Sequence, residues 1–270
     1  MNFQIESDIE HKIIECNGNK LHFFVSGNES GETIVFLHPA FGDHKCFDNQ
    51  IDYFSQNYRV ITIDMIGHGL TGNSKGKLTS TAEHIAEILI KEKRDKIHII
   101  GVSVGALLAQ DFALKYPEKV LSLTSLGGYN INKKQKEIAK AQGKEMFKWI
   151  FKMIFSMDAF RRYVASISVI NELEQAKYYE SAKHFTRKSF AAMSGLDKLI
   201  ANRSVQRNFP LLILSGEKDN ASAVKNTIQW NEEEQENSKM FIIENAGHCA
   251  NMDNAEKFNK ILLDFISMKL

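Results

Sequence analysis

Gly101-Val102-Ser103-Val104-Gly105 is the stretch of this 270-residue chain that decides its fold. It follows the apolar run Ile97-His98-Ile99-Ile100 and leads into residues 106–113, which have the pattern of a helix. A strand that turns sharply into a helix needs glycines, because the turn is strained and neighbouring backbones approach closely. In this setting the G-x-S-x-G pattern predicts a serine hydroxyl held out at the end of a strand, beside a helix N-terminus that favours negative charge.

The rest of the chain repeats short apolar runs separated by helical or polar stretches. Two of them flank Asn17-Gly18 and predict an antiparallel hairpin over 12–26. Six more are rich in Val, Ile and Leu without alternation, which is typical of parallel strands covered on both faces. These six lie at 33–38, 58–64, 96–102, 120–126, 210–215 and 239–243. The pattern predicts an α/β fold with an eight-stranded, mostly parallel sheet and helices on both faces.

One interval interrupts this order. Residues 129–207 contain no strand-like run and instead show helical patterns rich in lysine and aromatic residues. We therefore expect a core built from 1–128 and 208–270, with 129–207 inserted as a helical segment between the sixth and seventh strands.

Two residues that follow later strands form a catalytic set with Ser103. A serine hydroxyl is a poor nucleophile until a base takes its proton, and that base needs an acid to orient it. His248 follows the last predicted strand, and Asp219 follows the strand before it. Since parallel strands end at one edge of a sheet, we expect Ser103, Asp219 and His248 to meet there as nucleophile, orienting acid and general base. Glu217 is the competing acid.

The loop after the third strand is expected to complete an oxyanion site. A tetrahedral intermediate needs two backbone N–H donors. We predict that one is the N–H of Val104 and the other that of Phe41 or Ala40. His38 borders this loop and is counted among the predicted substrate-pocket residues, where it is interpreted as a packing or hydrogen-bonding residue. His68, in the turn after the fourth strand, is expected to brace that turn.

Bulk composition excludes several other classes of protein. The net charge of +1 gives no overall attraction to nucleic acid. The three cysteines have no C-x-x-C spacing, and no dinucleotide or phosphate-loop fingerprint occurs, so we expect no metal and no cofactor. The first residues lack the features of a signal peptide, and no apolar run approaches the roughly 20 residues of a membrane span. We expect a cytoplasmic protein without stable membrane insertion.

The motifs resemble those of the α/β-hydrolase superfamily, in the same order and over nearly the whole chain. The oxyanion loop, the D-x-x-G-x-G turn, the nucleophile elbow, the acid loop and the histidine loop are matched at 37–42, 64–69, 101–105, 216–219 and 246–248. The resemblance implies a serine hydrolase whose residues 129–207 form a helical cap. Pro39 stands where glycine is usual, and Ala106 where many members carry a further glycine; neither change removes a catalytic group.

The start of the predicted cap combines charge with a broad apolar face. Residues 131–152 hold seven lysines and two acidic residues, and large apolar residues recur at 147, 150, 151, 154 and 155. This spacing predicts an amphipathic helix that packs on the core and lines a substrate pocket through Phe147, Trp149 and Phe151. The alternative is a surface that makes weak contact with anionic lipid.

These features together predict hydrolysis of a small to medium apolar ester or lactone through an acyl-enzyme. The same fold also serves C–C bond hydrolases, lyases, perhydrolases and slow-turnover ligand-binding proteins, which stay as alternatives. A C–C hydrolase acting on an acid would need cationic groups in the cap. Arg161 and Arg162 are the candidates, and together with His184 they could bind a substrate carboxylate.

Overall fold

The computed structural model describes residues 8–134, 136–234 and 238–268, with the backbone alone for 136–142 and 144. Within these ranges eight strands form one sheet in the order β1-β2-β4-β3-β5-β6-β7-β8. The strands are β1 (Glu10–Cys16), β2 (Asn19–Gly27), β3 (Thr33–Leu37), β4 (Arg59–Ile63), β5 (Ile97–Val102), β6 (Val120–Leu126), β7 (Leu211–Gly216) and β8 (Ser238–Ile243). Only β2 runs against the other strands, since it pairs antiparallel with both β1 and β4. The predicted mostly parallel sheet is confirmed.

Helices cover both faces of the sheet. They are α1 (Asp48–Phe54), α2 (Thr81–Lys91), α3 (Val104–Lys115), α4 (Lys136–Phe155), α5 (Met157–Ser168), α6 (Glu172–Ala182), α7 (Ala221–Glu234), α8 (Ala250–Asp253) and α9 (Ala255–Ile266). Between β6 and β7 the described residues contain α4, α5, α6 and two short 3-10 turns but no strand.

The central strand β3 shows why these short apolar runs form a buried sheet. All five of its side chains are buried. Ile34 and Phe36 belong to one hydrophobic core, with residues of α1 and α9, whereas Val35 and Leu37 belong to a second core, with residues of α2, α3 and α7. Successive side chains of a strand point to opposite faces, so a strand covered on both sides is apolar at nearly every position, as β3 is after Thr33.

The turn from β5 into α3 is held by close backbone approaches. Ser103 has φ +56° and ψ −117°, a conformation that a residue with a side chain rarely adopts. A Cβ atom on Gly101 would lie 2.2 Å from the carbonyl oxygen of Gly105. A Cβ atom on Gly105 would lie 2.2 Å from the carbonyl oxygen of Leu37, at the end of β3. The glycines therefore allow α3 to start directly against the sheet.

We expect Gly105→Ala to lower the free energy of unfolding by about 2–4 kcal/mol, because the new methyl group must push α3 away from β3. Chemical denaturation checks this. Gly143→Ala is the matched control: a Cβ atom there meets nothing within 4 Å, so helix propensity should raise stability by up to about 1 kcal/mol. Equal stability of Gly105→Ala and the unmodified protein would contradict the account.

Candidate active site

Three side chains from the ends of β5, β7 and β8 stand at the carboxyl edge of the sheet. Nδ1 of His248 lies 2.8 Å from Oδ2 of Asp219. The Asp219 side chain is 2% exposed and the His248 side chain 21%, so the carboxylate is shielded while the imidazole still reaches the surface. Ser103 is partly exposed at the N-terminus of α3. Because Nδ1 faces the carboxylate, Nε2 is the ring nitrogen available to a hydroxyl proton.

Backbone hydrogen bonds order the loops at this edge. In each of them, a loop amide donates to a carbonyl at the end of the next strand or in the loop that follows it. They run from Ser103 N to Leu126 O (2.8 Å), from Gly127 N to Leu214 O (2.9 Å), from Glu217 N to Ile243 O (2.9 Å) and from Lys218 N to Ala246 O (2.8 Å). The loops that carry the serine, the acid and the histidine therefore belong to one continuous network.

Gly127 makes room for the imidazole. It has φ +61°, and a Cβ atom there would lie 3.0 Å from Cε1 of His248. The sequence analysis did not identify this role, although two glycines directly after β6 were its visible signal.

The two candidate acids, Glu217 and Asp219, have different hydrogen-bond partners. Oε2 of Glu217 accepts a hydrogen bond from the Asn245 backbone N–H at 3.0 Å, so this side chain is occupied with its neighbouring loop. Burial alone would lower the pKa of His248, but the charge of Asp219 and the hydrogen bond to it outweigh burial and raise that pKa above its ordinary value. Asp219 is thus the carboxylate that acts on the histidine.

Asp253 ties the histidine loop to the segment between α5 and α6. Its Oδ2 accepts a hydrogen bond from Gly247 N at 2.8 Å. Its Oδ1 accepts from Ile170 N at 2.9 Å and from Asn171 N at 2.8 Å. One carboxylate therefore satisfies three backbone donors and fixes the residue before His248 against the helical insertion. Sequence reasoning missed this role.

The oxyanion loop carries a second residue with left-handed backbone. Phe41 has φ +69° and is buried. The neighbouring Gly42 N–H donates to Pro39 O at 3.2 Å, whereas no described group accepts a hydrogen bond from the Phe41 N–H. The Ala40 carbonyl accepts a hydrogen bond from the Tyr178 hydroxyl of α6. The loop is therefore held by neighbours while one of its amides stays available.

Aromatic rings from the insertion surround Phe41. Trp149, Phe160 and Phe185 each contact its ring edge-on, with centroids 5.1, 5.0 and 4.9 Å away. Of the predicted pocket residues, Trp149 thus lies beside the oxyanion loop. Phe147 and Phe151 do not: they are 72% and 55% exposed. Their prediction as pocket walls is corrected, because α4 packs inward through other residues and turns these two rings to solvent.

His38 and His68 brace loops. The Met65 N–H donates to Nε2 of His38 at 3.1 Å, so Nδ1 carries the proton and donates to Pro39 O at 2.8 Å. Both ring nitrogens are used and the side chain is buried, which corrects the placement of His38 in a substrate pocket. Burial, with the neighbouring His38, lowers the pKa of His68 to about 3 and keeps it neutral.

A hydrogen bond joins the insertion to Asp43, the residue that follows the oxyanion loop. Nδ1 of His184, which follows α6, lies 3.0 Å from Oδ2 of Asp43. Burial would raise the pKa of Asp43, but hydrogen bonds from His184 and Ser181 outweigh it and lower that pKa to about 2. The hydrogen bond to Asp43 in turn raises the pKa of His184. His184 is therefore committed to this pair.

The chain is similar to several known proteins. A family model described as alpha/beta hydrolase fold matches residues 32–149. The (E)-2-((N-methylformamido)methylene)succinate hydrolase of Acinetobacter baylyi is 25% identical, over 93% of this chain and 96% of that protein. The 2-hydroxy-6-oxononadienedioate/2-hydroxy-6-oxononatrienedioate hydrolase of Paraburkholderia xenovorans is 24% identical, over 95% and 94%. A thermophilic esterase from Thermogutta terrifontis superposes with a TM-score of 0.79 at 16% identity, over 95% and 98%.

Two further observations concern only the residues that the structure describes. These residues contain no group of three or more His, Cys, Asp or Glu side chains that could hold a metal ion. None of their helices combines the length and apolar character that crossing a bilayer requires.

We expect Asp219→Asn to lower the pKa of His248 below its ordinary value, since burial then acts without the opposing carboxylate. An NMR titration of the histidine Cε1–H signals measures this, with the His248 signal assigned by its loss in His248→Gln. The matched control is Glu217→Gln, which removes a carboxylate two residues away. If Glu217→Gln lowers the pKa and Asp219→Asn does not, the acid has been wrongly assigned.

We expect Asp253→Asn to lower the free energy of unfolding by about 1–3 kcal/mol, because an amide NH2 must face at least one of the three N–H donors, of which that of Gly247 belongs to a buried residue. Hydrogen exchange at Gly247 and Ile170 should become faster. Asp264→Asn is the control, since that side chain is 59% exposed and pairs only with Lys260 at the surface. Unchanged exchange at Gly247 would contradict the assigned role.

Proposed function

We propose that this chain, whose residues 32–149 match the family model described as alpha/beta hydrolase fold, hydrolyses small to medium esters or lactones with an apolar acyl group. The observation that carries the proposal is the 2.8 Å contact between His248 Nδ1 and Asp219 Oδ2, at the sheet edge where Ser103 follows β5. A buried acid paired with the far nitrogen of a histidine is the arrangement that activates a serine.

The proposed reaction is acyl transfer through Ser103. Its Oγ attacks the ester carbonyl carbon while Nε2 of His248 takes the hydroxyl proton. The carbonyl oxygen becomes an oxyanion that accepts hydrogen bonds from the amides of Val104 and Phe41, with the Ala40 amide as the alternative second donor. His248 then protonates the leaving alcohol, and water, activated in the same way, releases the acid from the acyl-enzyme.

The backbone supports these two donors. Val104 is the first residue of α3, so its N–H belongs to the helix end that carries partial positive charge. The φ of +69° at Phe41 lets this residue hold a conformation that strands and helices do not use. Removal of one oxyanion donor costs roughly 10²–10³-fold in rate in other serine hydrolases.

The surroundings of the oxyanion loop favour an apolar acyl group. The rings of Trp149, Phe160 and Phe185 pack around Phe41 and supply no charge. In our proposal residues 129–207 are a helical cap on a core of 1–128 and 208–270, and they supply these rings. The reaction as proposed needs no metal or cofactor, and its partner is a small molecule.

A second candidate is hydrolysis of a C–C bond. It is favoured by the relative from Paraburkholderia, whose name specifies a substrate with two carboxylates. Such substrates need a cationic partner. Arg161 donates instead to the carbonyls of Lys183 and Phe185, each at 3.0 Å. Arg162 pairs with Asp158 at 2.8 Å on the surface. Both arginines are committed elsewhere, and for this reason we favour a neutral ester.

The nucleophile is tested by labelling with a fluorophosphonate probe. We expect stoichiometric labelling of the unmodified protein and loss of at least about 10³-fold in labelling rate in Ser103→Ala and in His248→Ala. Ser204→Ala, in an exposed loop, is the matched control and should label normally. Labelling that persists in Ser103→Ala would refute the assignment of the nucleophile.

The substrate class is tested with a panel on the same protein. We expect the highest kcat/KM for nitrophenyl esters of short to medium acyl chains, lower values for the matching amides, and still lower values for a 2-hydroxy-6-oxo-dienedioate. Preference for the dienedioate would replace the ester proposal by the C–C hydrolase, while the labelling result would stand.

A further inference from the structure

The side of α4 that faces away from the core is apolar. Five side chains form this surface, which we call the outer face of α4: Phe147, Ile150, Phe151, Ile154 and Phe155. Phe147 and Phe155 are 72% and 73% exposed. The helix packs inward through Met153, which is buried, and Trp149, which touches Phe41. An exposed group of large apolar side chains on one helix marks an interaction surface.

The sequence of α4 sets lysines next to this face. Lysine occurs at every fourth position of α4, at 136, 140, 144, 148 and 152. Phenylalanine occurs at every fourth position, at 147, 151 and 155, of which the first two directly precede Lys148 and Lys152. Residues three and four apart are neighbours along a helix, so Lys148 and Lys152 form a row beside the phenylalanine row. The described part of α4 thus carries a basic row next to an aromatic row.

The charge of residues 131–152 distinguishes between the partners that could bind the outer face of α4. Residues 131–152 contain seven lysines and two acidic residues, although the whole chain carries a net charge of only +1. One of these acids, Glu145, is engaged by Lys148 and by the Tyr163 hydroxyl. A second copy of the chain on the same face would bring two lysine rows together, and like charges would oppose it. The surface of an anionic bilayer offers negative charge to the lysines and an apolar interior to the phenylalanine and isoleucine side chains.

We propose that the outer face of α4 binds the surface of a bilayer that contains anionic phospholipids. The phenylalanine and isoleucine side chains enter the boundary between headgroups and acyl chains, and the lysines contact the phosphate groups. The helix lies in the plane of the membrane, because its apolar face occupies only one side. Trp149 extends from the same helix to the oxyanion loop, so the bound surface lies next to the candidate site. The proposal does not depend on the reaction proposed above.

Sedimentation with sucrose-loaded vesicles tests the proposal on the full chain. We expect binding to phosphatidylcholine vesicles that contain phosphatidylglycerol, much weaker binding to phosphatidylcholine alone, and release by salt. Phe147→Ser combined with Phe151→Ser should reduce the partition coefficient by roughly tenfold or more. Ile90→Ser is the matched control, because Ile90 is 66% exposed on α2, outside the outer face.

A second pair of variants tests whether the lysines beside the outer face of α4 contribute to vesicle binding. Lys148→Gln should reduce binding to the anionic vesicles by about fivefold, the effect of one basic residue near such a surface. Lys225→Gln, an exposed lysine on α7, is the control and should bind normally. All variants should unfold thermally within a few degrees of the unmodified protein, since each changes an exposed side chain.

Three results would overturn the proposal. The first is no binding of the unmodified protein to anionic vesicles, and the second is equal binding to both kinds of vesicle. The third is a dimer in analytical ultracentrifugation that the two phenylalanine substitutions dissociate, without binding to lipid. That last result would assign the outer face of α4 to a second copy of the chain.

Discussion

The contact between Gly105 and the carbonyl of Leu37 is the constraint on which the site depends. It brings the first turn of α3 against the end of β3, and it leaves no room for a Cβ atom. Ser103, two residues before this contact, has a positive φ at the edge of the sheet. The Ser103 amide then bonds to the end of β6, and the network continues through the following loops to the loop that carries His248.

The insertion is part of the site's scaffold. The Tyr178 hydroxyl bonds to the carbonyl of Ala40, His184 pairs with Asp43, and Trp149 contacts Phe41. These contacts reach two residues of the oxyanion loop and the residue that follows it, from three parts of the insertion. The histidine loop is tied to the insertion as well, through Asp253. Any movement of the insertion relative to the core should therefore disturb both the proposed oxyanion donors and His248, the proposed general base.

The sequence predicted the features that depend on local backbone requirements. Apolar runs without alternation revealed the buried strands, and the glycines around Ser103 revealed the turn. Asp253 could not be found in this way, because its partners at Ile170 and Asn171 lie more than eighty residues away. The periodicity of the α4 sequence predicted an apolar face, but it could not show which of the apolar side chains pack on the core and which face solvent. The structure places Trp149 and Met153 toward the core, and Phe147 and Phe151 toward solvent.

The central claim is that Ser103, His248 and two backbone amides converge on one reacting carbonyl. A crystal structure of the protein after reaction with a small alkyl phosphonate measures this convergence directly. The account predicts a bond from phosphorus to Ser103 Oγ, with the phosphonyl oxygen within hydrogen-bond distance of the amides of Val104 and Phe41. A phosphonyl oxygen that points away from both amides, or a bond to another residue, would contradict it.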